Sequence, residues 1–321
     1  MLRSAPSRSC WAAVIGDWEI KNGAAQEHSG DEAKVRSRNP TAARRWCARR
    51  HHAGVYEGFA EAGRPPTWVV GVSIGAITAA LIAGNPPERR VERLRAFWDL
   101  VSHYAPLTWP TSLNPMRPAL NYMSAAAVAA FGSPGFFAPR VPPPFFAASG
   151  TPENTSFYDT TPLKHTLEEM VDFDLINRRE VRVSLGAVNV RTGASVYFDN
   201  QTMRIGPEHV MASGALPPGF PAVEIDGEYY WDGGIVSNTP LTYVVDERPL
   251  TTALIVQVDL FDAKGELPSS IDQVLERAKD IQYSSKQRFN VERVKELGEL
   301  WAADVWRFRF SGEPVAEWRR S

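Results

Sequence analysis

The sequence has only two cysteines, Cys10 and Cys47, in 321 residues. Two thiols can build neither a disulfide framework nor a four-ligand zinc site, and they indicate a reducing compartment or indifference to redox. Long apolar runs are missing too. Runs such as Ala79-Ala80-Leu81-Ile82-Ala83 fall well short of the roughly 18 residues a membrane-spanning helix needs. The run Cys10–Ile15 is too short for the apolar core of a secretory signal and meets Asp17 and Glu19 at once, so export is not expected. Five acidic residues among the first fifty also argue against an Arg-rich organelle leader. Charge of one sign is lacking: the net charge is −2 with 22% charged residues. Such a balance speaks against a nucleic-acid surface or an acidic disordered tail. A cytoplasmic globular protein, at most peripheral to a membrane, is the expectation.

What is present suits a packed enzyme. Hydrophobic residues make up 44% of the chain, ample for a core of one large α/β domain. Charge is unevenly spread, with residues 1–50 carrying ten Lys/Arg against five Asp/Glu, a balance unlike the rest. From Ala53 the pattern becomes regular. A helix is predicted over 53–62, stopped by Gly63, then a short strand Trp68-Val69-Val70. Ile74 to Ala83 is apolar nearly all round and closed by Gly84-Asn85-Pro86, as expected of a helix buried against a sheet. A second helix is predicted over 88–101, strands over 181–190 and 194–198, and a doubly buried strand at 254–258. An amphipathic helix starts near Ser270, with Val274, Ala278 and Ile281 in register. Between Pro106 and Pro162 fall eleven of the 25 prolines, with Phe136-Phe137 and Phe145-Phe146. That stretch reads as an irregular insertion whose phenylalanines pack inward, or as a lid or acyl-chain funnel.

The strongest local signal is Gly71-Val72-Ser73-Ile74-Gly75, between the strand and the buried helix. In that setting G-x-S-x-G acts as a nucleophile elbow. The glycines permit a sharp turn that thrusts the serine outward, and the helix start aims N–H groups and a positive dipole end where an oxyanion would form. A plain βα turn with a buried serine is the bland alternative. A serine nucleophile needs a base, usually histidine. The six histidines are His28, His51, His52, His103, His165 and His209, and none follows His209. The order Ser…Asp…His of α/β-hydrolases therefore fits badly, although Asp174 with His209 stays conceivable. The better candidate is Asp232, at the end of Tyr229-Tyr230-Trp231 and followed by Gly233-Gly234. Asp-Gly alone is a common turn signal.

Two further stretches extend the pattern: Ile235-Val236-Ser237-Asn238-Thr239-Pro240-Leu241, and upstream Ala212-Ser213-Gly214-Ala215-Leu216-Pro217-Pro218-Gly219-Phe220-Pro221. With G-x-S-x-G and D-G-G in this order, the chain from about Ala53 to Asn290 resembles the patatin-like phospholipases, in particular a bacterial branch with a C-terminal extension. The resemblance implies a three-layer α/β/α domain around a central, mostly parallel sheet. It implies Ser73 as nucleophile and Asp232 as its partner in a dyad without histidine, with Gly71, Gly75, Gly233 and Gly234 shaping the site. The implied activity is hydrolysis of lipid acyl esters through an acyl-enzyme, with no metal or organic cofactor. The partners would be a lipid or acyl ester and a membrane touched peripherally, and no nucleic acid.

One departure bears on activity. The family supplies oxyanion donors from a loop G-G-G-x-x-G just before the helix at Ala53, where this chain has Arg44-Arg45-Trp46-Cys47-Ala48-Arg49-Arg50. An allowed set of codons for Arg44 to Arg50, read one nucleotide later, spells Gly-Gly-Gly-Ala-Leu-Gly. Residues 1–50 are therefore read as an anomalous segment, either frame-shifted or a genuinely divergent N-terminus, 51–245 as the catalytic domain and 246–321 as an incomplete extension. The rival functions are a catalytically inactive, lipid-binding relative and a Ser-His-Asp esterase using His209.

Overall fold

A computed structural model describes residues 11–16, 51–102, 127–146, 150, 152, 155–236, 240–247, 253–259, 305–309, 317–320 and most of 265–284. Arg44–Arg50, the segment with the missing glycine run, lies outside the described residues. The strands are β1 (Trp11–Gly16), β2 (Trp68–Val72), β3 (Ala138–Pro139), β4 (Tyr158–Asp159), β5 (Arg182–Asn189), β6 (Ser195–Asp199), β7 (Val223–Ile225), β8 (Glu228–Asp232), β9 (Ala253–Asp259), β10 (Val305–Arg309) and β11 (Glu317–Arg320). The helices named here are α1 (His51–Glu61), α2 (Ile74–Ala83), α3 (Arg90–Ser102), α4 (Thr161–Met170), α5 (Phe173–Asn177), α6 (Pro207–Ser213) and α7 (Leu241–Asp246).

One nine-stranded sheet runs β11-β10-β9-β1-β2-β5-β8-β7, with β6 also on β5. Alternating side chains of β2 feed two cores, as period-2 geometry requires. Val69 joins the larger core with Ala76, Ile77, Ala80 and Leu81 of α2 and with Leu94 and Phe97 of α3. Trp68 and Val70 face the opposite way, onto Leu241 and Val244 of α7 and Ile255 of β9. Helices thus cover both faces, giving the expected α/β/α layering. Nine of the ten residues of α2 are buried. At about 1.5–3 kcal/mol for each large apolar side chain taken from water, the α2–sheet contact is a principal source of stability.

The expectation of a mostly parallel sheet is corrected to a mixed one. Among the described strands only β2–β5 and β9–β10 are parallel. The hairpins β5–β6 and β7–β8 are antiparallel because short connections allow nothing else. The turn between β7 and β8 uses Asp226 and Gly227, both at positive φ (52° and 79°), as a two-residue hairpin turn demands. Strand β1 fills a central place and runs antiparallel to both β2 and β9. Its Trp11 sits opposite Gly71 and its Val14 opposite Trp68, so the chain leaving β1 starts from the sheet edge away from Ser73.

Two further expectations change. In the helical stretch after Ser270, Val274 and Ile281 are about half exposed, so that apolar stripe is not packed into the domain. The phenylalanine pairs of the insertion divide. Phe136 and Phe137 pack on Phe220, with ring centroids 5.8 and 5.3 Å away, whereas Phe145 and Phe146 are 82% and 81% exposed. The inward-packing reading therefore holds for the first pair alone.

Candidate active site

Ser73 stands between the end of β2 and the start of α2, at φ 58° and ψ −121°. Positive φ on a residue with a Cβ is strained, and such strain persists only where the surroundings enforce it. Here they do. A Cβ added to Gly71 would lie 2.2 Å from the Gly75 carbonyl oxygen, so the strand and helix approach more closely than any larger residue allows. The Ser73 N–H donates to the Ser213 hydroxyl oxygen (2.9 Å), and the Ser213 hydroxyl donates to the Gly186 carbonyl (2.6 Å). The Ser73 carbonyl accepts from Ala76 N–H at 2.9 Å, which starts α2.

Asp232 closes β8 opposite Ala187 of β5. Its N–H donates to the Ala215 carbonyl (3.0 Å), and its Oδ1 accepts from Gly234 N–H (2.8 Å). Gly233 is required for this arrangement, since a Cβ there would stand 2.7 Å from the Gly186 carbonyl oxygen. Gly75 and Gly234 are buried with their partners. The carboxyl is 1% exposed. Burial pushes it up to about 6, against the opposing pull of hydrogen bonds from the Ser73 hydroxyl and Gly234 N–H. The two oxygens differ. Oδ2 is fully buried and makes no hydrogen bond of regular geometry among the described residues, although the Ser73 hydroxyl is near enough to favour the charged form. The structure therefore brings Ser73 and Asp232 together across β5, with Gly71, Gly75, Gly233 and Gly234 around them.

His209 is placed elsewhere in its bonding. It is buried on α6, and its Nδ1 accepts from Gly206 N–H (2.9 Å) and lies 3.1 Å from Glu208 Oε1. Its ring packs edge-on to Phe198 at 4.9 Å. Asp174, the acid considered for it, is exposed and pairs with Arg204.

Ser213 and Gly186 are the site residues that sequence reasoning did not single out. Ser213 was visible as the serine of the Ala212–Pro221 stretch, but its bond to the Ser73 backbone spans 140 residues. Gly186 carried a local signal, a glycine inside a predicted strand, which marks close approach of another group. A Cβ on it would meet Val72 at 2.9 Å and Tyr197 at 3.0 Å.

Comparison with known proteins follows the same residues. A search of the curated proteins finds no match. Among solved structures, VipD from Legionella pneumophila is similar at 16% identity and a TM-score of 0.29, over 59% of this chain and 44% of that one. The chain thus corresponds to less than half the length of VipD. The family model for patatin-like phospholipase matches residues 51–245, a span longer than half the chain that contains both Ser73 and Asp232, and the chain belongs to that family.

Proposed function

We propose that this protein hydrolyses acyl esters of lipids, with Ser73 as nucleophile and Asp232 as its base. The observation that carries the reading is a carboxyl buried beside the Ser73 hydroxyl with its proton affinity raised to about 6. A base poised near the working pH transfers protons most effectively. Asp232 takes the hydroxyl proton as Ser73 Oγ bonds to the ester carbonyl carbon, and the collapsing intermediate expels the alcohol, which leaves with that proton. Water then attacks the acyl carbon and gives a proton to Asp232, the bond from that carbon to Ser73 Oγ breaks to release the fatty acid, and Oγ recovers the proton from Asp232. The Ser73 N–H is engaged by Ser213 and those of Ala76 and Ile77 by the Ser73 carbonyl, so among the described residues the N–H of Ile74, directly after the serine, is the candidate oxyanion donor.

A second reading, a patatin-like domain that holds lipid without turning it over, is favoured by one observation. The sequence carries no glycine run before α1, and β1 runs antiparallel to β2, so the chain after β1 leaves from the edge remote from Ser73. Losing one oxyanion donor typically lowers kcat by about a hundredfold to a thousandfold. Hydrolysis of a short-chain p-nitrophenyl ester by the purified chain separates the two. Turnover abolished by Ser73→Ala and Asp232→Asn and unaffected by His209→Ala supports the dyad. Turnover lost in His209→Ala supports a Ser-His-Asp esterase, and none in the parent chain supports the inactive relative. The frame-shift reading of residues 1–50 is tested by the gene: codons of Arg44 to Arg49 that give no glycine run one nucleotide later exclude it.

A further inference from the structure

The loop from Val141 to Phe146 is the most exposed apolar element that is tied to the site. Val141, Phe145 and Phe146 are 91%, 82% and 81% exposed. A 3₁₀ turn over Pro144–Phe146 presents the two rings in succession, and Phe145 leans on Phe157 at 5.7 Å. From Val141 to Gly150 the sequence carries no charged residue. The loop is also poor in backbone donors. Pro142, Pro143 and Pro144 have no N–H, and the Phe146 N–H is spent on the Pro143 carbonyl (2.9 Å), which leaves only those of Val141 and Phe145. A soluble partner places no premium on this scarcity, because water at the rim satisfies a stray donor. A lipid phase does, since each unsatisfied N–H there costs several kcal/mol.

The base of the loop is fastened to the elements that hold the dyad. Arg140 N–H donates to the Phe157 carbonyl (3.2 Å) and Arg140 Nε to the Ser156 hydroxyl (2.9 Å). Phe157 N–H and Tyr158 N–H donate to the carbonyls of Pro218 (3.1 Å) and Gly219 (3.0 Å). Pro218 and Gly219 continue the segment in which Ser213 binds the Ser73 N–H and Ala215 accepts from Asp232.

We propose that Val141–Phe146 is a membrane-docking tip that seats Phe145 and Phe146 at the headgroup–acyl boundary of an uncharged bilayer and thereby sets the orientation of the Ser73–Asp232 site to the lipid surface. The proposal deepens the lipid-ester reading by naming its partner surface and rests on that reading for its purpose.

The test is co-sedimentation of the Ser73→Ala chain with neutral phosphatidylcholine vesicles at low salt and at about 1 M salt, where surface charges are screened within a few ångströms. Partitioning that persists in high salt and falls at least about tenfold in Phe145→Ser/Phe146→Ser, the loss expected for two exposed rings no longer buried, supports the proposal. The same pair of substitutions in the Ser73-containing chain should leave the melting temperature and hydrolysis of a water-soluble short-chain ester unchanged. The proposal is overturned by a parent that does not partition, by a double variant that partitions equally, or by binding abolished in high salt. A concentration-dependent dimer dissolved by the double substitution overturns it in favour of a contact between two copies. Vesicle binding that depends on these phenylalanines in a chain without ester turnover leaves this inference standing and removes the hydrolase reading.

Discussion

Asp232 and Asp199 are buried to the same degree, at 1% and 2% exposure, and their carboxyls are shifted in opposite directions. Burial raises both. At Asp199 it is outweighed by the Arg182 hydrogen bond, the Gln201 N–H and the Ser184 hydroxyl, which hold the carboxyl below its ordinary value. Its Oδ2 accepts from Arg182 Nε (2.8 Å), Ser184 (2.7 Å) and the Tyr243 hydroxyl (2.9 Å). The Arg182 guanidinium also lies 4.0 Å over the Trp68 ring. At Asp232 no cation acts among the described residues, and one oxygen lacks a regular hydrogen bond. Burial alone therefore does not fix the direction in which an aspartate's proton affinity moves. The number of donors left unprovided does, because desolvation without compensation raises proton affinity.

The comparison can be broken most sharply by activity. Asp232→Asn and Ser73→Ala should each lower turnover of a short-chain ester by at least about ten-thousandfold, as expected when one member of a catalytic unit is lost. Asp199→Asn should leave kcat within about threefold wherever the chain remains folded. Equal losses would mean that the two carboxyls do not divide into reactive and structural roles.

Stability should move in opposite directions. Asp199→Asn strips the partly buried Arg182 guanidinium of one of its two carboxylate partners and leaves the hydroxyl donors of Ser184 and Tyr243 without their anion, and should destabilise by about 3 kcal/mol in denaturant unfolding. Asp232→Asn removes an uncompensated buried charge. Between the unfolded value of 3.8 and the folded value of about 6 the folded chain keeps the extra proton, so stability falls as pH rises through that window. Above it the deficit is complete, and Asp232→Asn should be more stable than the parent by about 3 kcal/mol at pH 8, with no gain near pH 4. A destabilised Asp232→Asn at pH 8 would contradict the reading.

Smaller effects sharpen the same contrast. Ser213→Ala removes the acceptor for the Ser73 N–H and should lower kcat about tenfold with KM little changed. Ser213→Thr, which keeps the hydroxyl, should recover part of it. Turnover should fall with a midpoint near pH 6 as Asp232 takes a proton and becomes unable to accept one from Ser73. Asp199, depressed in the folded state, supports the fold fully above pH 3.8 and should weaken it only as pH drops below that value. An activity midpoint below pH 4 would place the essential carboxyl in an environment like that of Asp199.

Much of this was legible from local pattern. Helix α2 and strand β2 follow from two short, mainly apolar segments and their glycine punctuation, and the elbow lies where that punctuation requires it. Two strands near the C-terminus were missed. The alternation Val305-Trp306-Arg307-Phe308-Arg309 is a period-2 signal, yet it is short and heavily charged, and pairing with β9 is what makes it a strand. The direction of β1 was not legible at all, because an apolar strand pairs equally well either way and only its neighbours select one.

The sequence by itself determined the family, the two motifs that contain Ser73 and Asp232, and the buried helix behind Ser73, because each depends on residue types at short and fixed spacing. Tertiary structure alone decided which buried aspartate has its carboxyl raised and which has it lowered. It also decided that Ser213 holds the Ser73 backbone, and that one phenylalanine pair packs inward while the other faces solvent. These outcomes rest on donors, carbonyls and rings supplied from distant parts of the chain, and local sequence does not encode their distances.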